Sequence, residues 1–171
     1  MTAQGMRSST LPTPLGPFSL LTVEDGILAA GFTPDPSALL PELPAPWRGR
    51  EPVPTEVPEP YASALAAYFA GRVEAIDALS VVQSGSGFRM AAWREMRRVR
   101  PGTTVSYQEL AASAGRPGAA RAAGAACADN LVPLIVPCHR IRRSDGTLGG
   151  YYYGLAVKRW LLDHEKGAGS R

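Results

Sequence analysis

The sequence holds little cysteine and little histidine: two of each in 171 residues, Cys127, Cys138, His139 and His164. Two cysteines make no disulfide framework. Neither CxxC nor HxxxH spacing occurs, so no zinc site and no other metal is expected. No apolar run reaches the roughly 20 residues of a membrane helix. The opening MTAQGMRSST lacks the apolar stretch of a secretory signal. A cytoplasmic protein with reduced thiols is therefore expected. A hydrophobic fraction of 45% is enough for a buried core.

Charge is short on average but unevenly spread. The net value is +3. Residues 1–80 carry four arginines against nine acids, a net of −5. Residues 81–171 carry fourteen Lys and Arg against six acids, a net of +8. A basic half is where a polyanion would bind, although the same charges also describe a solvated surface.

Residues 13–32, TPLGPFSLLTVEDGILAAGF, predict two strands around a Glu24-Asp25-Gly26 turn, with Phe18, Leu20 and Thr22 on one face. Pro34 to Pro60 contains nine prolines and predicts a loop rather than helix or central strand. Tyr61–Ala70 has helical composition and Gly71 stops it. Ala78–Gln83 is assigned a further strand. Ser84-Gly85-Ser86-Gly87 reads as a linker between an N-terminal domain, residues 1–83, and a C-terminal domain, residues 84–171.

Helices follow the linker. Phe88–Val99 places Phe88, Ala91, Ala92, Met96 and Val99 on one face and several arginines on the rest. Pro101-Gly102 ends it. Ser106–Ala114 opens with a Ser three residues before Glu109, a capping box, and stops at Gly115. Pro117 is expected to begin the next helix, PGAARAAGAACA. Two short helices around a Gly-containing turn describe a helix-turn-helix. Small side chains on the second helix allow close backbone approach, and Arg121 projects from it. Asn130–Val136 is an apolar lead into PCHR. Ser144–Gly154 is a turn and a Gly/Tyr loop, and Leu155–Glu165 a closing helix.

Cys138 stands in IVPCHRIRR, directly before His139. A free thiol of pKa about 8.5 is mostly protonated at neutral pH, so a nucleophilic role needs a base or a positive charge. Neighbours in an extended segment point apart, which makes a direct Cys138–His139 bond awkward and calls for a bend at Pro137 or a bridging water. His139 would in turn need a carboxylate, for which Glu165 and Asp163 are the candidates. Taken alone, the dipeptide fits a packed thiol better than a nucleophile.

The segments TPLGPFSL, FRMAAWREMRRVRPGTTVSYQELAASAG, RPGAARAAGAACADNLVPLIVPCHRI and GTLGGYYYGLAVKRWLLDHE, in this order, resemble the O6-alkylguanine-DNA alkyltransferases, closely over 84–166 and thinly over 1–80. The resemblance implies an α/β plus α fold: a small RNase H-like N-terminal domain and a helical, winged-helix-like C-terminal domain with the helix-turn-helix. It implies that Cys138 takes the alkyl group from O6 of guanine in DNA, once and irreversibly, with O4 of thymine an open alternative. By resemblance His139 is the water-mediated base, Glu165 polarises it and Asn130 orients the active-site turn. Arg121 fills the stack left by the flipped base, and Tyr107 crowds the 3′ phosphate and contacts the guanine. Ala120 and Gly124 belong to the helix that enters the minor groove, and Tyr151, Tyr152 and Tyr153 wall the pocket. No cofactor is implied, because damaged DNA supplies the alkyl group. The expected partner is duplex DNA containing O6-alkylguanine, bound by a monomer, with cooperative binding left open. The alternatives are a DNA-binding relative without chemistry, which an intact Cys138 argues against, and a cysteine hydrolase, which would not need the basic half.

Two departures from the family pattern stand out. Tyr153-Gly154 replaces a pair of small residues, so bulky free-base analogues such as benzylguanine are expected to react poorly. Leu131 replaces the proline after Asn130, which loosens the turn before PCHR. The N-terminal metal ligands of some members are also missing.

Overall fold

The computed structural model describes residues 5–169 and divides into two compact units, Met1–Ser84 and Gly85–Arg171. The first unit is built on a four-stranded sheet in the order β3-β2-β1-β4. Its strands are β1 (Arg7–Leu11), β2 (Phe18–Val23), β3 (Gly26–Gly31) and β4 (Val53–Pro54). β1, β2 and β3 run antiparallel, and β4 lies parallel to β1. The expected hairpin is β2–β3. Every residue of β2 is buried, so apolar groups cover both faces of this central strand. Phe18, Leu20, Leu21 and Ile27 are fully enclosed, as are Leu65 and Tyr68 of helix α1 (Tyr61–Phe69). Each such side chain contributes about 1.5–3 kcal/mol of burial.

Gly26 is required twice over. Its φ is +150°, and a Cβ there would lie 2.6 Å from the Ser80 carbonyl oxygen. That contact marks where residues 78–83, expected as a strand, fall short of one. Only a single parallel bridge forms, Ile27 to Val81, because turn hydrogen bonds through Leu79 occupy the preceding residues. β1 was not expected at all. RSSTL carries no apolar alternation, yet Ser8 and Ser9 are buried in the sheet. The proline-rich segment is ordered as a 3-10 turn, Pro36–Glu42, and as β4. β4 is an edge strand, where a proline with its nitrogen turned outward loses no ladder bond.

The second unit contains α2 (Gly87–Arg98), β5 (Val105–Ser106), α3 (Tyr107–Ser113), α4 (Ala120–Ala128), a 3-10 turn (Cys138–Arg140), β6 (Ile141–Arg142) and α5 (Leu155–Gly169). Ser86, expected within a linker, caps α2 by accepting from the Arg89 amide. Ser106 caps α3 by accepting from the Glu109 amide at 3.0 Å, and Gly115 ends that segment at φ +93°. α4 starts at Ala120 rather than Pro117. Gly118 takes φ +84°, outside helical space, so Pro117-Gly118 belongs to the turn. Trp93, Ala92 and Met96 form the buried stripe of α2. Trp93 donates its indole N–H to the Ala126 carbonyl at 2.9 Å, which fixes α2 against α4. A half-exposed ion pair, Arg89–Asp129, joins α2 to the C-terminal end of α4.

Candidate active site and nucleic-acid interface

Cys138 opens the 3-10 turn and is 8% exposed. The lead-in packs Val132, Leu134, Ile135 and Val136 into the core. Asn130 holds its curvature from both ends: Nδ2 donates to the Val136 carbonyl at 2.8 Å, and Oδ1 accepts from the Val132 amide at 3.0 Å. Both bonds form with Leu131 in the chain, so the missing proline does not displace Asn130. Leu134 adopts φ 75°, a left-handed conformation that an L-residue takes only at a cost of about 1 kcal/mol or more.

The segment through Cys138 is not extended. A 3-10 turn sets successive side chains about 120° apart, so His139 turns away from the thiol and into the core. There its Nε2 meets Glu165 Oε2 at 3.0 Å, both side chains being fully buried. Arg140 meets the same carboxylate with two donors, Nε to Oε1 at 2.9 Å and Nη2 to Oε2 at 2.8 Å, and gives Nη1 to the Val99 carbonyl. Glu165, not Asp163, is therefore the carboxylate of His139; Asp163 is exposed.

Burial alone would raise the Glu165 carboxyl. The hydrogen bonds and charges of Arg140 and His139 outweigh it and hold the group below the usual carboxylate range. An ionised carboxylate only accepts, so Nε2 carries the imidazole proton. Burial keeps the His139 imidazole below its ordinary value against the pull of Glu165. Its Nδ1 is buried and has no hydrogen-bond partner among the described residues. Burial also pushes the Cys138 thiol up, opposed by Asn130 and by the charge of Lys158.

Three of the four expected tyrosines, Tyr107, Tyr151 and Tyr153, lie within electrostatic reach of the thiol. Tyr107 opens α3, between the backbone of Gly124 on α4 and that of Gly149 in the Gly/Tyr loop. A Cβ on Gly149, whose φ is +73°, would lie 2.7 Å from the Tyr107 hydroxyl. Burial and then the two thiols, Cys127 before Cys138, raise the Tyr107 hydroxyl, which keeps it a donor. Tyr151 has a buried hydroxyl with no hydrogen-bond partner among the described residues. Its ring centroid lies 6.1 Å from that of Tyr153, and Tyr153 packs edge-on to Tyr152 at 4.8 Å. Tyr152 is 89% exposed. Burial, Tyr152 and Cys138 together raise Tyr153 to about 12. Arg121 is exposed on α4 and Ala120 half-buried at its start. Arg121 has no ion pair among the described residues, whereas Arg116 lies over the Phe88 ring at 5.4 Å.

Sequence reasoning missed Lys158, which is fully buried on α5. Lys158, Leu161 and Glu165 stand at i, i+3 and i+7, so the helix period would have placed this lysine on the inward stripe. Among the described residues no group of His, Cys, Asp and Glu could hold a metal ion. No described helix is long and apolar enough to cross a membrane.

Comparison with known proteins agrees over both units. Residues 87–167 match the family described as 6-O-methylguanine DNA methyltransferase, DNA binding domain, and residues 6–83 the one described as 6-O-methylguanine DNA methyltransferase, ribonuclease-like domain. The methylated-DNA–protein-cysteine methyltransferase of Salmonella typhimurium is 46% identical over 101 residues, 59% of each chain. That match spans less than two thirds of the Salmonella protein. The mouse protein of the same name is 43% identical over 94% of this chain and 81% of its own. Among solved structures, the Mycobacterium tuberculosis O6-methylguanine methyltransferase aligns over 95% of this chain and 94% of that chain at 30% identity, with a TM-score of 0.78. Its complex with DNA aligns over the same shares at 29% and 0.76. With both family models matching, over residues 6–83 and 87–167, and a relative 43% identical over 94% of this chain, the chain belongs to the methylated-DNA–protein-cysteine methyltransferase family.

Proposed function

We propose that this protein repairs DNA by moving the alkyl group from O6 of guanine onto Cys138, once per molecule. The observation that carries this reading is the buried Cys138 beside a neutral His139 whose Nε2–H is committed to Glu165 and whose Nδ1 is free. A base of that kind takes the thiol proton through one water as the sulfur attacks. Sγ forms a bond to the alkyl carbon, and the bond from that carbon to O6 breaks. The guanine takes up one proton in place of the alkyl group, so the thioether and normal guanine are the only products. Nothing else is consumed, and no cofactor enters the balance.

The target base lies inside a duplex and must be extruded to reach a buried thiol. In this reading residues 84–171 form the DNA-binding and acceptor domain. α4, with Ala120 and Gly124, lies in the minor groove, and Arg121 occupies the vacated stack. Tyr107 contacts the flipped guanine, and the amide of Tyr152 faces O6. Asn130 orients the turn, and Tyr151 and Tyr153 close the pocket. A cytosolic location belongs to the same reading, since the acceptor thiol must stay reduced.

The test is intact mass spectrometry after incubation with a duplex oligonucleotide containing O6-methylguanine. One methyl replacing one hydrogen adds about 14 Da, expected once per chain and mapping to Cys138. An unmodified protein, or an adduct on Cys127, defeats the reading.

A further inference from the structure

Lys158 is fully buried, and an ammonium taken out of water is costly unless its donors are met. It has no ion pair among the described residues. Its three donors go to backbone carbonyls instead: Ile141 at 2.7 Å, Leu148, and Gly150 at 3.4 Å. Ile141 belongs to β6. Leu148 and Gly150 belong to the segment leading into Tyr151, and residues 148–150 form no backbone–backbone hydrogen bond among the described residues. The Tyr107 ring abuts the same segment at Gly149. The Gly/Tyr loop is thus fastened by one side chain from below and buttressed by another from the side.

We propose that Lys158 is a positioning residue: its ammonium pins residues 148–150 to β6 and so sets the wall formed by Tyr151–Tyr153 opposite Cys138. This rests on the alkyl-transfer reading above. The pin acts on the reaction step and leaves DNA affinity alone, because the exposed arginines that would meet phosphate lie elsewhere. It also depends on shape as well as charge. Three convergent carbonyls suit a compact ammonium, whereas a planar guanidinium does not reach them together.

The experiment compares wild type, Lys158→Met and Lys158→Arg on a duplex with O6-methylguanine. It reads the single-turnover rate at saturating DNA, the affinity for that duplex, chymotrypsin cleavage after Tyr151–Tyr153, and amide hydrogen exchange in the helices. In Lys158→Met the rate is expected to fall about 100-fold, the size of effect that a misplaced reacting geometry produces. Affinity stays within about twofold. Chymotrypsin cleaves after Tyr151–Tyr153 faster, while amides of α3 and α4 keep their protection from exchange. Lys158→Arg should be as slow as Lys158→Met. Recovery of the rate by Arg would mean that charge alone matters, and would overturn the proposal. So would wild-type kinetics in Lys158→Met, or exchange that rises throughout residues 85–169. If Lys158→Met does not fold, Lys158→Gln takes its place; loss of fold in both assigns Lys158 to stability and sinks a positioning role. If the wild type is not methylated, the alkyl-transfer reading fails by itself, and cleavage after Tyr151–Tyr153 still reports on the pin.

Discussion

Glu165 shows how much of this site depends on one carboxylate. It accepts from His139 and twice from Arg140, with no exposed surface. Replacing it with Ala leaves the Arg140 guanidinium buried without its anion, a change that costs about 3–5 kcal/mol. Urea unfolding of Glu165→Ala should show a loss of that order. His139 adds a pH dependence. Its imidazole is held below its ordinary value, chiefly by burial. The unfolded chain takes up that proton near pH 6.5, before the folded chain does. Between these two values the unfolded state binds more protons, so stability falls as pH falls, and the contribution is complete above about 6.5. Alkyl transfer should hold through that window and slow only below it, as pH falls through the lowered value of the folded protein, because a protonated imidazole cannot accept the thiol proton. Unfolding midpoints at pH 7.5 and 5.5 check the first part, and His139→Gln should flatten the difference. The sequence reaches Cys138 and His139 through their adjacency, but leaves Glu165 and Asp163 level. The family resemblance selects Glu165, and the helical register, which turns Glu165 inward and Asp163 out, supplies the physical reason. Lys158 is invisible to residue type, since lysine reads as surface until its burial is seen.

At the scale of elements, what the sequence reveals follows local chemistry. The β2–β3 hairpin, α1, α2 and the Ser106 cap are legible because turn residues, period and cap all lie within a few positions. β1 and β4 are not, because Ser-rich and Pro-containing strands are made by their partners. The start of α4 slips by three residues because Pro117 fits a first helical turn while Gly118 breaks it. Two predictions belong to these elements. Arg121, exposed on α4, should matter for extruding a base and not for chemistry on one already free. Arg121→Ala should slow repair of duplex DNA far more than reaction with a free-base analogue, and equal losses in both would remove Arg121 from the flipping step. The Gly/Tyr loop carries Tyr153 where a small residue would leave room. Its ring packs edge-on between Tyr151 and Tyr152 and lies within the field of Cys138. Tyr153→Gly should raise the rate with O6-benzylguanine about tenfold or more, a steric effect of pocket size, while leaving methylated DNA nearly unchanged. No gain would mean that the ring already folds clear of the pocket.

Over the whole molecule the dominant feature is the division of charge, −5 in residues 1–80 and +8 in residues 81–171. The average of +3 conceals it, and only counting by halves makes it legible. Within the basic half, Arg142 and Arg143 are exposed, and the adjacent Ser144 donates to Gln108 of α3 at 3.3 Å, which sets this pair beside the helix-turn-helix. Arg48 and Arg50 of the acidic half are exposed as well, on a segment far from α3 in sequence. If binding is driven by phosphate contacts from the basic half, affinity for duplex DNA falls with salt, and each lost contact reduces the slope of log K against log salt by about 0.9. Arg142→Gln with Arg143→Gln should therefore lower the slope by about 2 and weaken binding to all duplex sequences alike. Arg48→Gln with Arg50→Gln, the same change of charge in the acidic half, should leave the slope where it is. Fluorescence titration at four salt concentrations distinguishes the pairs. Equal slopes for both double variants would mean that net charge, and not its placement beside α3, governs attraction to DNA.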